Sequence, residues 1–315
     1  MNKMKAVVYY EYGSPDVLTL DNIPVPQIRD NEVLVKVKYS GINPVDYKIR
    51  RGKMKFITGS SFPKIPGSDF SGEIVETGTK VTEFKKGDAV FGMTRVLGGG
   101  SCAEYVKTLP ANIWHMPTGV DFREAGCVPL AALTALQALR DKGEISKGKK
   151  VLINGASGGV GLFAVQIAKL LGAEVTAVTS YRNNKLVGEF GPDHVIHYTE
   201  ENFTDKFDKF DIIFDVVNRF SFAKAVKWLN PDGVYIMTSA HAGDIFSTLN
   251  PLYRKFKLRS VMVKPVQEDL KQLADWLETG KLKVHIDKVF ELNDPGNAHI
   301  YSESGRVRGK TVFHV

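Results

Sequence analysis

A glycine-rich turn between an apolar strand and an amphipathic helix constrains the fold of this chain more than any other feature. Residues 151–161 read Val-Leu-Ile-Asn-Gly-Ala-Ser-Gly-Gly-Val-Gly, and apolar residues then recur at helical spacing up to residue 171. Gly155, Gly158 and Gly161 permit a tight turn, a close approach of the backbone to phosphate and close packing of helix on strand. Because the unpaired N–H groups at the start of a helix attract anions, we predict a dinucleotide pyrophosphate site here.

Composition and charge argue against several other classes of protein. The net charge is +7 and the pI about 9.1, but no block of like charges indicates a nucleic-acid tail. Two cysteines, Cys102 and Cys127, are too few for a disulfide framework and suit a reducing cytoplasm. No apolar run approaches the ~20 residues of a membrane span, and the N-terminus lacks a signal-peptide core. Leu162 and Phe163 stand where a nucleoside triphosphatase loop needs Lys and Ser or Thr.

The chain divides into a β-rich part and a part in which strands and helices alternate. Proline-punctuated strand patterns at 5–10, 32–40, 72–77, 89–92 and 103–107 favour a partly open β-barrel. After a helical run at 131–139, strands at 150–154, 174–179, 194–197, 210–216 and 233–238 alternate with helices. This alternation is typical of a doubly wound parallel sheet. With a helix at 267–279 and a strand at 311–315, we predict a β-rich domain from residues 1–120 and 266–315 and a Rossmann domain from residues 121–265.

Six further motifs carry a family resemblance. They are residues 5–8 (Lys-Ala-Val-Val), 41–46 (Gly-Ile-Asn-Pro-Val-Asp), 65–72 (Ile-Pro-Gly-Ser-Asp-Phe-Ser-Gly), 87–90 (Gly-Asp-Ala-Val), 133–135 (Leu-Thr-Ala) and 309–310 (Gly-Lys). With the glycine turn, they resemble end to end the medium-chain dehydrogenase/reductase superfamily, in particular its zinc-free quinone oxidoreductase-like branch. The resemblance implies a GroES-like domain, a Rossmann domain, an active-site cleft between them and a homo-oligomer, with a dimer favoured.

The resemblance also predicts that no metal is bound. Zinc-dependent alcohol dehydrogenases of this superfamily carry Cys where Asn43 stands and His where Ser68 stands, and Cys127 lies near the position of the third ligand. Catalytic zinc needs about three protein ligands, which one thiol, an amide and a hydroxyl do not supply. We therefore expect Cys127 to be a small buried apolar residue.

The residues that follow the second strand of the Rossmann pattern favour NADP over NAD. An NAD site usually places Asp or Glu about 20 residues beyond the glycine turn, where it binds the ribose 2′-hydroxyl. Here the sequence continues with Ser180, Arg182 and Lys185, a hydroxyl and two cations suited to a 2′-phosphate. The alternative is that Arg182 and Lys185 are solvated residues at the start of a helix.

Further cofactor contacts follow from the resemblance alone. They are expected around the phosphates, at the adenosine end, near the nicotinamide and from the C-terminal tail. The residues, in that order, are Thr134, Ser157, Gly158, Gly159 and Val160; Tyr198; Thr238, Ser239, Val261, Met262 and Val263; and Lys310.

The implied reaction is hydride transfer from NADPH to an electron-poor carbon of a quinone or an α,β-unsaturated ketone or aldehyde. Without zinc, hydrogen-bond donors must stabilise the oxygen on which negative charge develops. Asn43 is the first candidate donor, and Tyr47 and Lys48 are possible donors or proton sources. The alternative is structural, because Asn43, Pro44 and Asp46 also form the N-cap, first turn and acidic third position of a helix.

Two other functions remain open. An enoyl-thioester reductase would use basic groups such as Arg50, Arg51 and Lys53 for a phosphorylated carrier. A protein of another class would bind NADPH as a redox sensor, or bind RNA, without turnover. The substrate pocket is expected from loops at 49–62, 93–100 and 240–253, which show no recognisable motif.

Overall fold

The computed structural model describes residues 2–239 and 242–315, with the side chain of Ala242 left out. The chain forms two compact units. One comprises Met1–Leu133, Lys264–Gly280 and Val284–Val315, and the other comprises Thr134–Val263 and Lys281–Lys283. The chain thus first passes from one unit to the other after Leu133, which is 13 residues beyond the predicted boundary after residue 120. The reason is local: the helix Phe122–Ala125 packs on two strands of the first unit, and Leu130 N donates to Asp69 Oδ1 at 2.6 Å.

The strands in the described ranges are numbered along the chain. They are β1 (Lys3–Val8), β2 (Thr19–Pro24), β3 (Val33–Ile42), β4 (Asp69–Thr77), β5 (Ala89–Met93), β6 (Tyr105–Thr108), β7 (Ile113–His115), β8 (Lys150–Asn154), β9 (Glu174–Thr179), β10 (His194–His197), β11 (Phe210–Asp215), β12 (Leu229–Met237), β13 (Lys257–Ser260), β14 (Ile286–Glu291) and β15 (Lys310–His314).

The helices are numbered in the same way. They are α1 (Pro44–Arg50), α2 (Lys55–Thr58), α3 (Phe122–Ala125), α4 (Pro129–Gln137), α5 (Gly159–Leu170), α6 (Asn184–Gly188), α7 (Phe222–Ala225), α8 (Ala242–Ser247), α9 (Gln267–Glu278) and α10 (Pro295–Glu303). A π-helical segment, Ala138–Lys142, continues α4. None of the helices in the described ranges is both long and apolar enough to cross a membrane.

The first unit is built on antiparallel strands, as the proline-punctuated patterns predict. Its main sheet has the order β14-β15-β3-β4-β5-β7, β6 also pairs with β3, and β1 and β2 form a separate pair. Along β3, Val33, Leu34, Val35 and Val37 are buried while Lys36 is exposed, so the strand turns one face fully to the core and covers part of the other. Because β15, β3, β4 and β5 are consecutive antiparallel neighbours, the start of β15, the end of β3, the start of β4 and the end of β5 share one sheet edge.

The second unit is a six-stranded parallel sheet with the order β10-β9-β8-β11-β12-β13. This is the usual order of a dinucleotide-binding fold, in which the chain reverses direction across the sheet between β8 and β11. Val151, Leu152 and Ile153 of β8 are fully buried, as expected for a strand covered on both faces. Ligands of such sheets bind beyond the carboxyl ends of the strands at that reversal, so the turn after β8 lies at the expected place.

Candidate functional site

The glycine turn after β8 has the geometry that the sequence predicts. Gly155 has a φ of +86°, which side chains other than glycine rarely adopt. A Cβ on Gly161 would lie 2.2 Å from the Gly155 carbonyl oxygen, so only glycine lets α5 pack this closely. A Cβ on Gly158 would meet nothing nearer than that oxygen, at 3.6 Å, which leaves open space at the N-cap of α5. The turn therefore presents the first backbone N–H groups of α5 to space that an anion can fill.

Buried polar atoms without partners mark the neighbouring strand end. Thr179 closes β9, and Ser180 and Asn183 follow it; all three are at least nine-tenths buried. The hydroxyls of Thr179 and Ser180 and the Oδ1 atom of Asn183 have no hydrogen-bond partner in the described part of the chain. The Asn183 Nδ2 group donates to Ser157 Oγ at 3.0 Å, which ties this strand end to the glycine turn. Because orphaned buried polar groups are costly, their presence indicates a ligand or ordered water here.

Two cations lie on the same segment as these groups. The Arg182 and Lys185 side chains are exposed, and neither forms an ion pair with any residue in 2–239 or 242–315. The nearby Glu200 carboxylate is engaged by His197 and Lys206. An orphaned hydroxyl and two free cations on one short segment fit a phosphate on the ribose of the cofactor. Thr179 and Asn183 were missed from the sequence, because nothing in their spacing shows that their polar atoms are buried without partners.

The other residues that the resemblance assigns to the cofactor lie in the second unit, apart from Lys310. Tyr198 follows β10, is half-exposed and donates its N–H to the Thr179 carbonyl at 2.9 Å. Thr238 follows β12 and exchanges hydrogen bonds with Asn218, at 3.1 and 3.2 Å. The remainder are the buried Thr134 on α4, the exposed Ser239 and the segment after β13, in which Val261 is buried, Val263 half-buried and Met262 exposed. Apart from Thr134, these positions lie at or beyond carboxyl strand ends.

In the first unit, Asn43 and Asp46 begin α1 as the sequence predicts. Asn43 is the N-cap, and Asp46 closes a capping box in which its Oδ2 accepts from Asn43 N at 2.8 Å. Burial raises the pKa of Asp46 to about 7, although the backbone N–H groups of Asn43 and Gly67 oppose this shift. The structural interpretation of these residues is therefore confirmed, and it leaves the Asn43 side chain with a second set of partners.

The Asn43 side chain lies in a buried cluster with Asp69 and Lys310. Asn43 Oδ1 accepts from Lys310 Nζ at 2.5 Å, and Asn43 Nδ2 donates to Asp69 Oδ2 at 3.0 Å. Lys310 Nζ lies 3.4 Å from the same carboxylate oxygen. The three residues are 2%, 0% and 4% exposed for Asn43, Asp69 and Lys310. Burial raises the pKa of Asp69, and Lys310 opposes this shift.

Two more buried hydroxyls lie at the same sheet edge. Ser68 precedes β4 and Thr94 follows β5, and the Thr94 N–H donates to the Ser68 carbonyl at 2.9 Å. Neither hydroxyl has a partner within the described residues. Asp69 and Thr94 were not singled out from the sequence, because their neighbours at this edge are distant along the chain.

Tyr47 and Lys48, the other two catalytic candidates, are half-buried on α1. Burial lowers the pKa of Lys48, and Lys53 adds to the shift; burial raises that of Tyr47, with a further contribution from Glu303. Neither side chain has a hydrogen-bond partner among residues 2–239 and 242–315. A partly desolvated ammonium without a counter-ion is a feature of functional lysines.

A cavity of about 300 Å³ lies within the first unit. Most of its wall comes from the 49–67 and 96–100 segments, and Tyr9 and Asp46 complete it. Ile49, Thr58, Lys64, Gly67 and Leu97 are among the lining residues of the two segments. Two of the three predicted substrate loops therefore converge on one cavity. The third begins at residues 240–241, which lie outside the described residues.

Comparisons with known proteins identify the family. Residues 29–118 match the family "Alcohol dehydrogenase GroES-like domain", and residues 190–313 match the family "Zinc-binding dehydrogenase". A 2-methylene-furan-3-one reductase of Solanum lycopersicum is 38% identical, covering 99% of this chain and 79% of that protein. The chain belongs to the medium-chain dehydrogenase/reductase superfamily.

Other members of this superfamily agree in sequence and fold. The quinone oxidoreductase of Homo sapiens is 32% identical, covering 94% of this chain and 93% of that protein. The structure of the quinone oxidoreductase from Coxiella burnetii superposes with a TM-score of 0.92 at 33% identity, and each chain is covered completely. The predicted family, the GroES-like and Rossmann folds and the oxidoreductase class are thus confirmed.

Although one of the family names refers to zinc, the residues of this medium-chain dehydrogenase/reductase do not fit a catalytic zinc ion. No group of three His, Cys, Asp or Glu side chains suited to a metal occurs in the described ranges. Cys127 is fully buried, as expected, and its Sγ donates to the Glu124 carbonyl at 3.2 Å. Burial raises its pKa to about 12, so without a metal it is a protonated thiol. The ammonium of Lys310 adds a positive charge to the cluster around Asn43.

Proposed function

We propose that this protein reduces quinones or α,β-unsaturated carbonyl compounds with NADPH. The observation that carries the choice of cofactor is the orphaned Ser180 hydroxyl on the segment that also carries the free cations of Arg182 and Lys185. The choice of reaction is supported by the relatives, which are named as a furanone reductase, a quinone oxidoreductase and, at 36% identity in Arabidopsis thaliana, an NADPH-dependent alkenal/one oxidoreductase.

The residues of the second unit would bind and orient the cofactor. The start of α5, including Ser157, Gly158, Gly159 and Val160, would hold the pyrophosphate, and Ser180, Arg182 and Lys185 the 2′-phosphate. Tyr198 would contact the adenosine, and the segments after β12 and β13 the nicotinamide. When bound, NADPH supplies the hydride.

The residues of the first unit would bind the substrate and stabilise its oxygen. Reduction of an enone or quinone places negative charge on that oxygen, and preorganised donors lower the barrier most effectively there. Asn43 has one Nδ2–H beyond the one bonded to Asp69. Lys48 carries an unpartnered, half-buried ammonium, and Tyr47 an unpartnered hydroxyl that could also deliver a proton. The cavity that includes Ile49 and Leu97 in its wall would take the apolar part of the substrate.

The enoyl-thioester alternative loses two of its three candidate basic groups and keeps the exposed Lys53. Arg50 is fully buried, and both Arg50 and Arg51 bond to the Glu303 carboxylate, so neither is free for a phosphorylated carrier. Two non-enzymatic alternatives make different predictions. A redox sensor would bind NADPH without turnover, and an RNA-binding protein would show no dependence on NADPH. A dimer, a cytoplasmic location and independence of zinc remain our predictions.

The direct test is NADPH oxidation with a benzoquinone, a naphthoquinone and several enones, each with and without a chelator and with NADH in parallel. We expect saturable, chelator-insensitive oxidation that favours NADPH. Tight NADPH binding without turnover of any acceptor would contradict the proposal and favour the sensor. Chelator-sensitive oxidation of simple alcohols would instead indicate a zinc-dependent alcohol dehydrogenase.

A further inference from the structure

The buried cluster of Asn43, Asp69 and Lys310 is the most unusual group of side chains in the first unit. Lysine and aspartate are rarely buried unless they are paired, and here both are at least 96% buried. The cluster joins three segments: Lys310 begins β15, Asn43 follows β3 and Asp69 begins β4. It lies at the sheet edge where Ser68 and Thr94 leave two buried hydroxyls without partners.

Stability alone gives little reason for such a cluster. A buried ion pair generally contributes no more stability than apolar side chains of the same volume, because both charges lose their hydration. The Asp69 carboxylate is nevertheless fully supplied with donors: Oδ1 accepts from Leu130 N at 2.6 Å, and Oδ2 faces Asn43 Nδ2 and Lys310 Nζ. The hydrogen bonds of both charged residues therefore converge on the third member of the cluster, the amide of Asn43.

The two charges determine which way that amide faces. An ammonium only donates hydrogen bonds, so Lys310 selects the Oδ1 atom of Asn43. Both oxygens of the Asp69 carboxyl group accept hydrogen bonds, Oδ1 from Leu130 N and Oδ2 from Lys310 Nζ, so Asp69 selects the Nδ2 group. A 180° rotation of the amide would place like groups against each other on both sides. Asn43 is thereby held in one orientation, and its second Nδ2–H has a fixed direction.

The ammonium also accounts for the poor fit to zinc. A cation is already bound between Asn43 Oδ1 and Asp69 Oδ2, two of the oxygen atoms that a metal at this edge would use. A divalent ion there would meet a positive charge in a dry environment, where repulsion is strong. The site therefore contains a cation that belongs to the chain itself.

We propose that Lys310 is the fixed cation of this site in place of a metal, and that it is a positioning residue that orients Asn43 toward the substrate oxygen. The positioning role rests on the proposed function, whereas the exclusion of metal does not. It differs from the role that the resemblance gives Lys310, a direct contact with the cofactor, and the two make opposite predictions for NADPH affinity.

The test compares four variants with the wild type. Lys310→Met keeps the length of the side chain but removes its charge and its hydrogen-bond donors. Lys310→Arg keeps the charge and the donors. Lys310→Met/Asp69→Asn removes both charges, so that no unpaired carboxylate stays buried. Lys288→Met, on the neighbouring strand β14, removes an exposed ammonium and is the matched control.

For Lys310→Met we expect kcat to fall about 100-fold, the loss typical of one oxyanion donor, with the Kd of NADPH changed less than about threefold. The primary isotope effect on kcat with C4-deuterated NADPH should rise, because hydride transfer becomes rate-limiting. A merely structural role of Lys310 would leave this isotope effect unchanged. Lys310→Arg should recover part of the activity and Lys288→Met nearly all of it. If Lys310→Met does not fold, the double variant should show the same loss of kcat.

Wild-type kcat in Lys310→Met or in the double variant would overturn the positioning role. A rise in the Kd of NADPH with kcat unchanged would make Lys310 a cofactor ligand instead. The metal claim is tested separately by dialysis of the wild-type protein against Zn²⁺ or Co²⁺ and measurement of the bound metal. We expect none at this site, and one tightly bound ion per chain that Asn43→Ala or Asp69→Ala abolishes would overturn it. If the wild type turns over no acceptor, the proposed function fails, and the metal measurement still decides the exclusion of metal.

Discussion

The cofactor preference should depend on the two free cations after β9. We expect Arg182→Ala/Lys185→Ala to weaken NADPH binding and to leave NADH binding almost unchanged, because only NADPH carries a 2′-phosphate. Neither side chain makes an ion pair with another residue in the described ranges, so their removal breaks no internal contact of that kind. Lys147→Ala is the matched control, since Lys147 is exposed and precedes β8 at the opposite, amino end of the sheet.

The magnitude follows from the exposure of both side chains. Two unit charges about 4 Å apart in water attract by about 1 kcal/mol, and a phosphate monoester carries about −1.5 to −2 charges at pH 7. Each cation then contributes about 1.5 kcal/mol before screening, and the pair about 3 kcal/mol, which is roughly a 100-fold change in Kd. Salt should reduce the effect, because the Debye length shrinks to about 3 Å at 1 M ionic strength.

Titration of protein fluorescence with NADPH and with NADH, at low and at high salt, measures these constants. We expect the double variant to bind NADPH about 100-fold more weakly at low salt, with a much smaller loss at high salt. Its affinity for NADH should change less than about twofold. An equal loss for both cofactors would place the cations on the pyrophosphate instead. No loss for either would support the interpretation of Arg182 and Lys185 as solvated residues at the start of a helix.

Three further predictions follow from the structure. Gly158→Ala should fold normally yet lose NADPH binding, because its Cβ enters open space beside the helix N-terminus. Gly161→Ala should lose NADPH binding and also lower the Tm, since its Cβ would lie 2.2 Å from a carbonyl oxygen. Cys127 should react with a thiol reagent at pH 8 only after denaturation, because the thiol is buried and its pKa is raised to about 12; rapid labelling of the folded protein would contradict this. Burial lowers the pKa of His299 to about 3, so the unfolded chain binds a proton that the folded one does not between about pH 6.5 and 3. As the pH is lowered from about 6.5 to about 3, the free energy of unfolding of the wild type, measured in urea, should therefore decrease by about 1 kcal/mol per pH unit relative to His299→Gln, and parallel pH profiles would refute it.

The parallel sheet of the second unit could be predicted closely from the sequence. The bounds of β8, β9 and β10 agree with the predicted ranges, because these strands are short apolar runs between clear helix and turn signals. The helix predicted at 267–279 is also present, as α9. Strands β2, β7, β13 and β14 were missed. Their sequences are polar or mixed, and their extended form depends on a partner strand, which no local pattern reveals.

The candidate site divides in the same way. The glycine turn and the N-cap at Asn43 are local, so sequence spacing alone was enough to predict them. The cluster around Lys310 was not predicted, because Lys310 and Asn43 are 267 positions apart and Lys310 and Asp69 241 apart. The orphaned hydroxyls of Thr179 and Ser180 likewise depend on burial, a property of the folded chain that composition does not report.

The fate of the hydride distinguishes reduction of the carbon–carbon double bond from reduction of the carbonyl group. The protein is given an enone with NADPH that carries deuterium at both C4 positions, and the product is analysed by mass spectrometry and NMR. We expect a saturated ketone that keeps its carbonyl group and carries one deuterium on the β-carbon. An allylic alcohol with deuterium on the carbonyl carbon, or no incorporation at all, would contradict it.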